Sequence, residues 1–213
     1  MNDLFYNQAL EAISIHPKLS LVEKADTIIL LGELDLIEQE VGIIDTYEIE
    51  IHPSPLFPYR FPYLYETGGR IPINIDWHRF EQTGHCCVKV TAEEIIICHR
   101  GISLKDYIQF QAIPYFFNQT FRRVNGYFLN ERRHGVLGVV DFYFEELKTK
   151  DIYKMLRMLE FIRLCQEPYR VAKCFCGSGL KYRHCHRDSF RLLVQAGREQ
   201  IQNDITDIKQ ALY

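Results

Sequence analysis

The chain opens with hydrophobic residues spaced for one face of a helix. Over residues 2–15 this face carries Leu4, Phe5, Ala9, Leu10 and Ile13. A spacing of three or four residues predicts an amphipathic helix. Strand-like runs follow at residues 27–37, 42–51 and 61–66, and we predict strands there. In the second run Tyr47, Ile49 and Ile51 alternate with Glu48 and Glu50, which is typical of an antiparallel strand with one face in water.

Residues 52–62 (HPSPLFPYRFP) interrupt this pattern with four prolines. Proline lacks a backbone donor, so this segment is predicted to be an extended turn rather than a helix or a central strand. Residues 66–70 (ETGGR) predict a tight turn. Two further short strands are predicted at residues 84–90 (GHCCVKV) and 93–99 (EEIIICH). Together with the earlier runs they complete a meander of about four strands.

The later part of the chain returns to helical spacing. Residues 104–121 keep this spacing up to Pro114, residues 151–165 carry one apolar stripe, and residues 188–213 form a last amphipathic segment. A helix, an antiparallel meander and then helices define the α+β class. We expect a main domain over residues 1–165, a small knot over 166–187 and a terminal helix over 188–213.

Composition narrows the class of protein. A length of 213 residues with 47% hydrophobic residues suits one globular domain with a small appendage. The chain has no apolar run of membrane-spanning length, and its first residues lack the basic start of a secretory signal. We therefore expect a cytoplasmic protein without a membrane partner, whose seven cysteines are thiols or metal ligands rather than disulfides. A net charge of −3 provides no global attraction for nucleic acid.

Metal-binding chemistry is indicated by two close pairs of potential ligands, Cys174 with Cys176 and Cys185 with His186. Four such donors suit tetrahedral Zn²⁺, and two glycines in the intervening GSGLKYRH favour the turn that joins the pairs. The alternative is a surface redox pair at the first two cysteines. The stretch resembles the SEC-C zinc motif, found at the carboxyl end of the SecA translocation ATPase and appended to many unrelated bacterial proteins. This resemblance implies a closed, structural zinc site.

Basic residues surround this stretch. Residues 170–198 carry seven cations against the single acid Asp188: Arg170, Lys173, Lys181, Arg183, Arg187, Arg191 and Arg198. One interpretation is that they offset the net negative charge of zinc bound to three thiolates. The other is a docking surface for an acidic partner or for nucleic acid.

Cys86 and Cys87 stand side by side in the segment predicted as a strand. On alternate faces of a strand, Cys86 would lie inside with Val88 and Val90, and Cys87 outside beside Lys89. A neighbouring cation favours the thiolate form, which is the nucleophilic one. The pattern alone leaves open whether Cys87 is a nucleophile or both are ordinary strand cysteines.

The layout of roughly residues 1–160 resembles ubiquitin-conjugating enzymes. The resemblance rests on a proline-rich segment, LFPYRFP (56–62), then DWH (76–78) and GHCCV (84–88). GGRIP (68–72) and RRHGVLGVVDFYFEEL (132–147) are similar to bacterial members of this superfamily found in CBASS anti-phage operons. The resemblance implies a ubiquitin-conjugating-enzyme-like fold, with the active cysteine at Cys87.

The resemblance further implies a thioester relay. Cys87 would accept the C-terminal carboxyl of a partner protein, expected to be a cGAS-like nucleotidyltransferase, and pass it to an amine. No phosphate-binding loop is present, so a separate activating enzyme or an activated donor is expected. The eukaryotic His-Pro-Asn is replaced by His78-Arg79-Phe80. His78 then either donates a hydrogen bond in the chemistry or braces the loop.

Other assignments remain open. Cys98-His99 is a second candidate pair, and His134 is a candidate to approach the site from a later loop. A catalytically silent binding module of the same fold is the principal alternative to the acyl carrier. A nucleic-acid or ribosome-associated zinc protein is a weaker one, resting only on the basic residues. The segment 188–213 either docks a partner or packs into the core.

Overall fold

The computed structural model describes residues 3–129 and 132–212. The chain forms two compact units, one of Met1–Val88 with Arg100–Glu131 and one of Lys89–His99 with Arg132–Tyr213. These units differ from the three segments predicted above, because the helices between residues 132 and 165 group with the C-terminal part rather than with the sheet.

The first unit is built on an antiparallel meander. A helix, α1 (Asp3–Ile15), precedes the strands β1 (Leu19–Lys24), β2 (Thr27–Glu38), β3 (Gly42–His52) and β4 (Tyr63–Glu66). Among the described residues these strands form one sheet in the order β1-β2-β3-β4. The α+β class, the N-terminal helix and the four-stranded meander are thereby confirmed, and the proline-rich segment is irregular as predicted.

One face of this sheet is buried. On β2 it carries Leu30, Leu34 and Leu36, and on β3 it carries Tyr47, Ile49 and Ile51. A helical stretch covers it, made of α3 (Leu104–Tyr107), a wider π turn (Ile108–Ala112) and α4 (Ile113–Asn125). Tyr47 stacks on Phe116 of α4 with ring centroids 4.5 Å apart. Pro114 lies in the first turn of α4, where its missing donor is tolerated.

Two strand assignments from the sequence are wrong, and one strand was not predicted. Residues 84–90 do not form a strand, since Cys86 makes only an isolated bridge with Arg79. Residues 93–99 lie mainly in a helix, α2 (Thr91–Cys98), with acidic residues in its first turn that suit the positive end of a helix dipole. The strand β1, which was not predicted, takes one edge of the sheet.

The second unit is helical. Besides α2 it contains α5 (Gly135–Leu147), α6 (Ile152–Leu164), α7 (Arg187–Leu193) and α8 (Arg198–Ala211). The single helix predicted over 188–213 is therefore two helices, separated at Gly197. α8 packs against α5 and α6, and it buries Ile201, Ile205 and Ile208 in their shared core. At these three positions the apolar stripe of α8 packs into the core of its own unit.

Within the described ranges, every helix is too short or too polar to cross a membrane.

A close backbone approach in the meander gives a stability prediction. Gly32 on β2 has a φ of +138°, and a Cβ there would overlap the carbonyl oxygen of Lys18. We expect Gly32→Ala to lower the free energy of unfolding by about 2 kcal/mol more than Gly42→Ala. Gly42 is the matched control, because it also has a positive φ but open space around it. Urea unfolding followed by Trp77 fluorescence, which reports on this unit, measures the difference. Equal losses for the two variants would contradict the steric argument.

A buried carboxyl in the second unit gives a pH prediction. Asp204 of α8 accepts a hydrogen bond from the Tyr143 hydroxyl at 2.6 Å, and burial raises its pKa although bonds from Tyr143 and Gln200 oppose this. The folded state therefore holds the Asp204 proton more tightly than the unfolded chain. Stability from this group is present at pH values below the ordinary carboxyl pKa and is lost as pH rises through the folded-state pKa.

Asp204→Asn keeps an acceptor for Tyr143 and removes the charge. We expect it to be more stable than wild type near neutral pH, with the difference shrinking as pH falls toward the ordinary carboxyl pKa of about 4. Urea unfolding followed by helix circular dichroism across a pH series measures this. Glu199→Gln on the exposed face of α8 is the control, expected to show no such convergence, because Glu199 does not contribute to the Asp204 shift. A pH-independent gap for Asp204→Asn would contradict the prediction.

Candidate functional sites

A short hairpin brings the cysteine-rich knot together. The Cys174 amide donates to the Leu180 carbonyl and the Tyr182 amide to the Ala172 carbonyl, both at 2.8 Å. A turn closes this hairpin, with Gly177 at a φ of +79°. The chain then passes through a single 3₁₀ turn, Tyr182–His184, and delivers Cys185 and His186 to the first pair.

The predicted ligands converge on one point. One ligand atom from each of Cys174, Cys176, Cys185 and His186 lies within 4.8 Å of the others. The Sγ atoms of Cys176 and Cys185 are 3.6 Å apart, and His186 Nδ1 lies 3.4 Å from Cys174 Sγ and 3.0 Å from Cys185 Sγ. Donors around a tetrahedral zinc ion are separated by about 3.5–3.8 Å, so the Cys176–Cys185 and Cys174–His186 distances are close to those of a bound site and the Cys185–His186 distance is shorter. The donor set therefore fits a closed zinc site.

The imidazole of His186 is oriented from its far side. Its Nε2 lies 2.9 Å from the carbonyl oxygen of Leu147, the last residue of α5. Because a carbonyl only accepts, Nε2 carries the proton, and Nδ1 keeps its lone pair toward the sulfurs. Fixing a histidine ligand through its other nitrogen is the usual outer contact of a metal site. It also satisfies a carbonyl at the end of α5, as Ser189 does for Glu146 at 2.7 Å.

Sulfur chemistry and packing both support a structural role. At Cys176, burial would raise the pKa, but hydrogen bonds from Ser178 and the neighbouring thiols outweigh it and lower the pKa to about 6. Phe175 stacks on Phe161 of α6 at 4.7 Å between ring centroids and lies edge-on to Phe190 of α7. The knot is thus packed into the helical core, and four protein donors leave no coordination position for a substrate.

The basic residues of this region are partly paired. Arg191 forms an ion pair with Glu167 at 2.7 Å, and Arg187 pairs with Asp188 at 3.3 Å. Lys173 and Lys181 face each other directly across the hairpin. Opposed like charges weaken a strand pair, and a metal ion held by the three thiolates of the knot would carry a net negative charge that offsets their repulsion.

The two adjacent cysteines differ in burial. Cys86 is 5% exposed, and desolvation raises the pKa of its thiol to about 12 despite a hydrogen bond with Tyr115 and the nearby Arg79 charge. Cys87 is partly exposed. The Cys86 amide donates to Leu64 on β4, and the Cys87 amide donates to the His78 carbonyl, both at 2.7 Å. Cys86 is therefore a core residue, and Cys87 is the more exposed residue of the pair.

His78 is held in a loop fixed to α4. Its φ is +53°, and its carbonyl accepts hydrogen bonds from Cys87 N and the Tyr115 hydroxyl. Gln119, buried on α4, donates to the neighbouring Trp77 carbonyl at 2.8 Å. The His78 ring lies edge-on to Phe128 at 5.0 Å between centroids. Through its carbonyl, His78 links the backbone of Cys87 to α4.

The remaining sequence candidates lie elsewhere. Cys98 is fully buried at the end of α2, rather than at a strand end, and His99 is exposed. His134 immediately precedes α5 in the second unit. Lys89, expected to favour the Cys87 thiolate, has its ammonium paired with Glu93 at 2.9 Å. Sequence reasoning missed Arg79, Tyr115 and Gln119, whose contacts link distant parts of the chain.

The cysteine-rich knot belongs to the class of closed three-cysteine, one-histidine metal-binding motifs. Comparison with protein families gives a match to the SEC-C motif over residues 172–188. No curated protein and no solved structure matches the chain. The motif predicted from the four ligands is thereby confirmed for this segment.

Metal binding at these residues is directly testable. We expect one zinc ion per chain by elemental analysis, and at least about a hundredfold weaker binding for Cys185→Ala, because one of four strong ligands is removed. Cys165→Ala is the control, since Cys165 is exposed and outside the cluster. Chelation should lower the helix content of the wild-type chain, as the knot contributes to the helical core. Wild-type zinc affinity in Cys185→Ala would contradict the assignment.

Proposed function

We propose that this chain is a ubiquitin-conjugating-like acyl carrier. Cys87 forms a thioester with the C-terminal carboxyl of a partner protein and transfers that protein to an amine. The observation that carries the proposal is the Cys86–Cys87 pair: one cysteine is buried and the next is partly exposed, with the backbone amides of both fixed by hydrogen bonds. The helix-then-meander order and the proline-rich turn before this pair support it.

The chemistry needs an activated carboxyl. The Cys87 thiolate attacks the carbonyl carbon of an acyl adenylate or an acyl thioester, forming a new C–S bond while AMP or the donor thiol leaves. An amine then attacks the Cys87 thioester. A C–N bond forms, the C–S bond breaks, and the proton released by the amine restores the Cys87 thiol. The activated donor comes from a separate activating enzyme.

The partner proposed for this reaction is a cGAS-like nucleotidyltransferase. This rests on the similarity of residues 68–72 and 132–147 to bacterial conjugating-type proteins of anti-phage operons. A role in anti-phage defence follows from the same similarity. The zinc is structural in this proposal, because its donor set is complete without a substrate.

His78 has two proposed roles. Bracing is supported by its carbonyl, which accepts from the Cys87 amide and from Tyr115. Hydrogen-bond donation by its ring to the developing oxyanion is the second, and it would replace the asparagine absent at Phe80. In both roles His78 acts together with the reacting Cys87.

A catalytically silent binding module is the second candidate. The observation that favours it is Phe80, which provides no hydrogen bond from its side chain where the related enzymes have asparagine. Such a module would dock a partner protein without forming a covalent bond to it. The two candidates differ in one measurable property, the presence of an acyl group on Cys87.

Intact mass measured without reductant on protein from cells carrying the native neighbouring genes tests this difference. We expect a thiol-labile adduct on wild type that becomes thiol-stable on Cys87→Ser, because an oxyester resists thiols. Cys165→Ser, which alters another accessible cysteine, should keep the thiol-labile adduct. The mass of the adduct identifies the partner. An unmodified chain in every case would favour the binding module.

A further inference from the structure

Arg79 is a buried cation with every donor satisfied. Its side chain is buried at 4% residue exposure, and a guanidinium carries five N–H donors. Nη1 donates to Glu66 Oε2 at 3.1 Å and to the Ile71 carbonyl at 2.7 Å. Nη2 donates to the Glu66 carbonyl at 3.0 Å and to the Gly84 carbonyl at 2.9 Å, and Nε donates to Gly84 as well, at 3.1 Å. Each N–H group of the guanidinium thus has an acceptor.

These acceptors belong to three separate parts of the chain. Glu66 ends β4, Ile71 follows the Gly-Gly turn, and Gly84 lies three residues before Cys87. The carboxylate of Glu66 is itself fixed, since it accepts from the amides of Arg70 at 3.0 Å and Ile71 at 3.3 Å. The guanidinium therefore ties the start of the cysteine segment to the end of the sheet.

The Gly84 carbonyl takes a forked hydrogen bond. Nε and Nη2 of Arg79 approach it together, which fixes its direction as well as its distance. Gly84 has a φ of +75° and donates its own amide to the Phe80 carbonyl at 2.6 Å. From this anchored point the chain runs to Cys86 and Cys87, whose amides are bound to Leu64 and His78. The backbone before Cys87 is held at both ends.

We propose that Arg79 is a positioning residue for Cys87, setting the place of its thiol by clamping the Gly84 carbonyl to the end of β4. This inference rests on the proposed acyl-carrier function. Arg79 does not touch the reacting atoms, and its effect is on the direction in which the Cys87 side chain meets an incoming acyl group. A misplacement of about 1 Å in a reacting group is enough to cost about a hundredfold in rate.

Arg79→Lys separates positioning from charge. Lysine keeps the positive charge opposite Glu66, but its single ammonium lacks the planar fork and cannot hold two carbonyls and a carboxylate together. We expect thioester formation on Cys87 to slow by at least about tenfold relative to wild type. The rate is measured with the activating enzyme and partner protein identified by the mass experiment.

Site-resolved alkylation distinguishes positioning from a purely structural role, because only loss of structure would change the alkylation of these cysteines. Iodoacetamide is a small reagent that needs no docking, so Cys87 alkylation in Arg79→Lys should stay within about threefold of wild type while acyl transfer falls. Cys86, buried beside it, reports on folding, and it should stay protected. Loss of Cys86 protection would show that Arg79→Lys unfolds, and Gly84→Ala then provides the test. Wild-type acyl transfer in a folded Arg79→Lys would overturn the positioning role.

Glu66→Gln is the comparison variant. It removes the ion pair but keeps an acceptor for Arg79 and leaves the Gly84 hydrogen bonds in place. If Arg79 acts by positioning, Glu66→Gln slows acyl transfer by no more than about threefold, much less than Arg79→Lys. Equal losses in the two variants, measured at the same folded fraction, would indicate that only the buried ion pair matters and would overturn the proposal.

Gly84→Ala decides the matter if Arg79→Lys does not fold. A Cβ at Gly84 has only ordinary contacts, 3.7 Å to Ile73 and 3.9 Å to Arg79, but the positive φ disfavours alanine and turns the carbonyl that Arg79 holds. We expect about fivefold slower acyl transfer with Cys86 still protected. Wild-type transfer in this folded variant would overturn the proposal. Absence of an adduct on wild type would instead refute the acyl-carrier function itself.

Discussion

A buried guanidinium needs a counter-charge and an acceptor for each of its donors. This requirement determines the backbone path of the loop between β4 and Cys87 in the first unit. Arg79 meets it with Glu66 and with the carbonyls of Ile71 and Gly84. Removing either charged partner would leave the other buried and uncompensated, which destabilises a fold far more than the absence of one neutral hydrogen bond. The chain from β4 to Cys87 therefore has little freedom in its path, although only three of its residues form regular structure (Ile75–Trp77).

In the second unit a comparable need for charge compensation arises at the clustered cysteine thiols. Thiols gathered within a few ångströms need a cation to compensate them once they ionise, and a zinc ion bound by these four residues would supply it. His186 connects the knot to the helices, because its Nε2 donates to the carbonyl at the end of α5. Phe175 adds to this connection by packing against α6 and α7. In each unit a polar centre, rather than the apolar core alone, determines where irregular backbone lies.

Local patterns explain why some of this was predictable from the sequence. The four predicted metal ligands lie within 13 residues, so their spacing alone indicated the site, and β3 followed from alternation. The failures involve tertiary contacts. The isoleucine run at 95–97 favours a strand by propensity, yet Ala92 and Cys98 bury the same segment as a helix. Residues 84–90 also resembled a strand, but the Arg79 side chain holds the Gly84 carbonyl, and the amides of Cys86 and Cys87 donate to two different segments, at Leu64 and His78.

The exposure of the seven cysteines indicates which of them is available as a nucleophile, and it favours Cys87. Of the seven, Cys174, Cys176 and Cys185 are ligands in the knot, and Cys86 and Cys98 are buried. Cys165 is exposed, but it lies just after the last turn of α6. Cys87 combines partial exposure with a backbone fixed by hydrogen bonds, at Gly84 three residues before it and at its own amide, which donates to the His78 carbonyl. A thiol that must meet a large acyl donor in one orientation needs both properties, since access without a fixed backbone gives reactivity but no geometry for transfer.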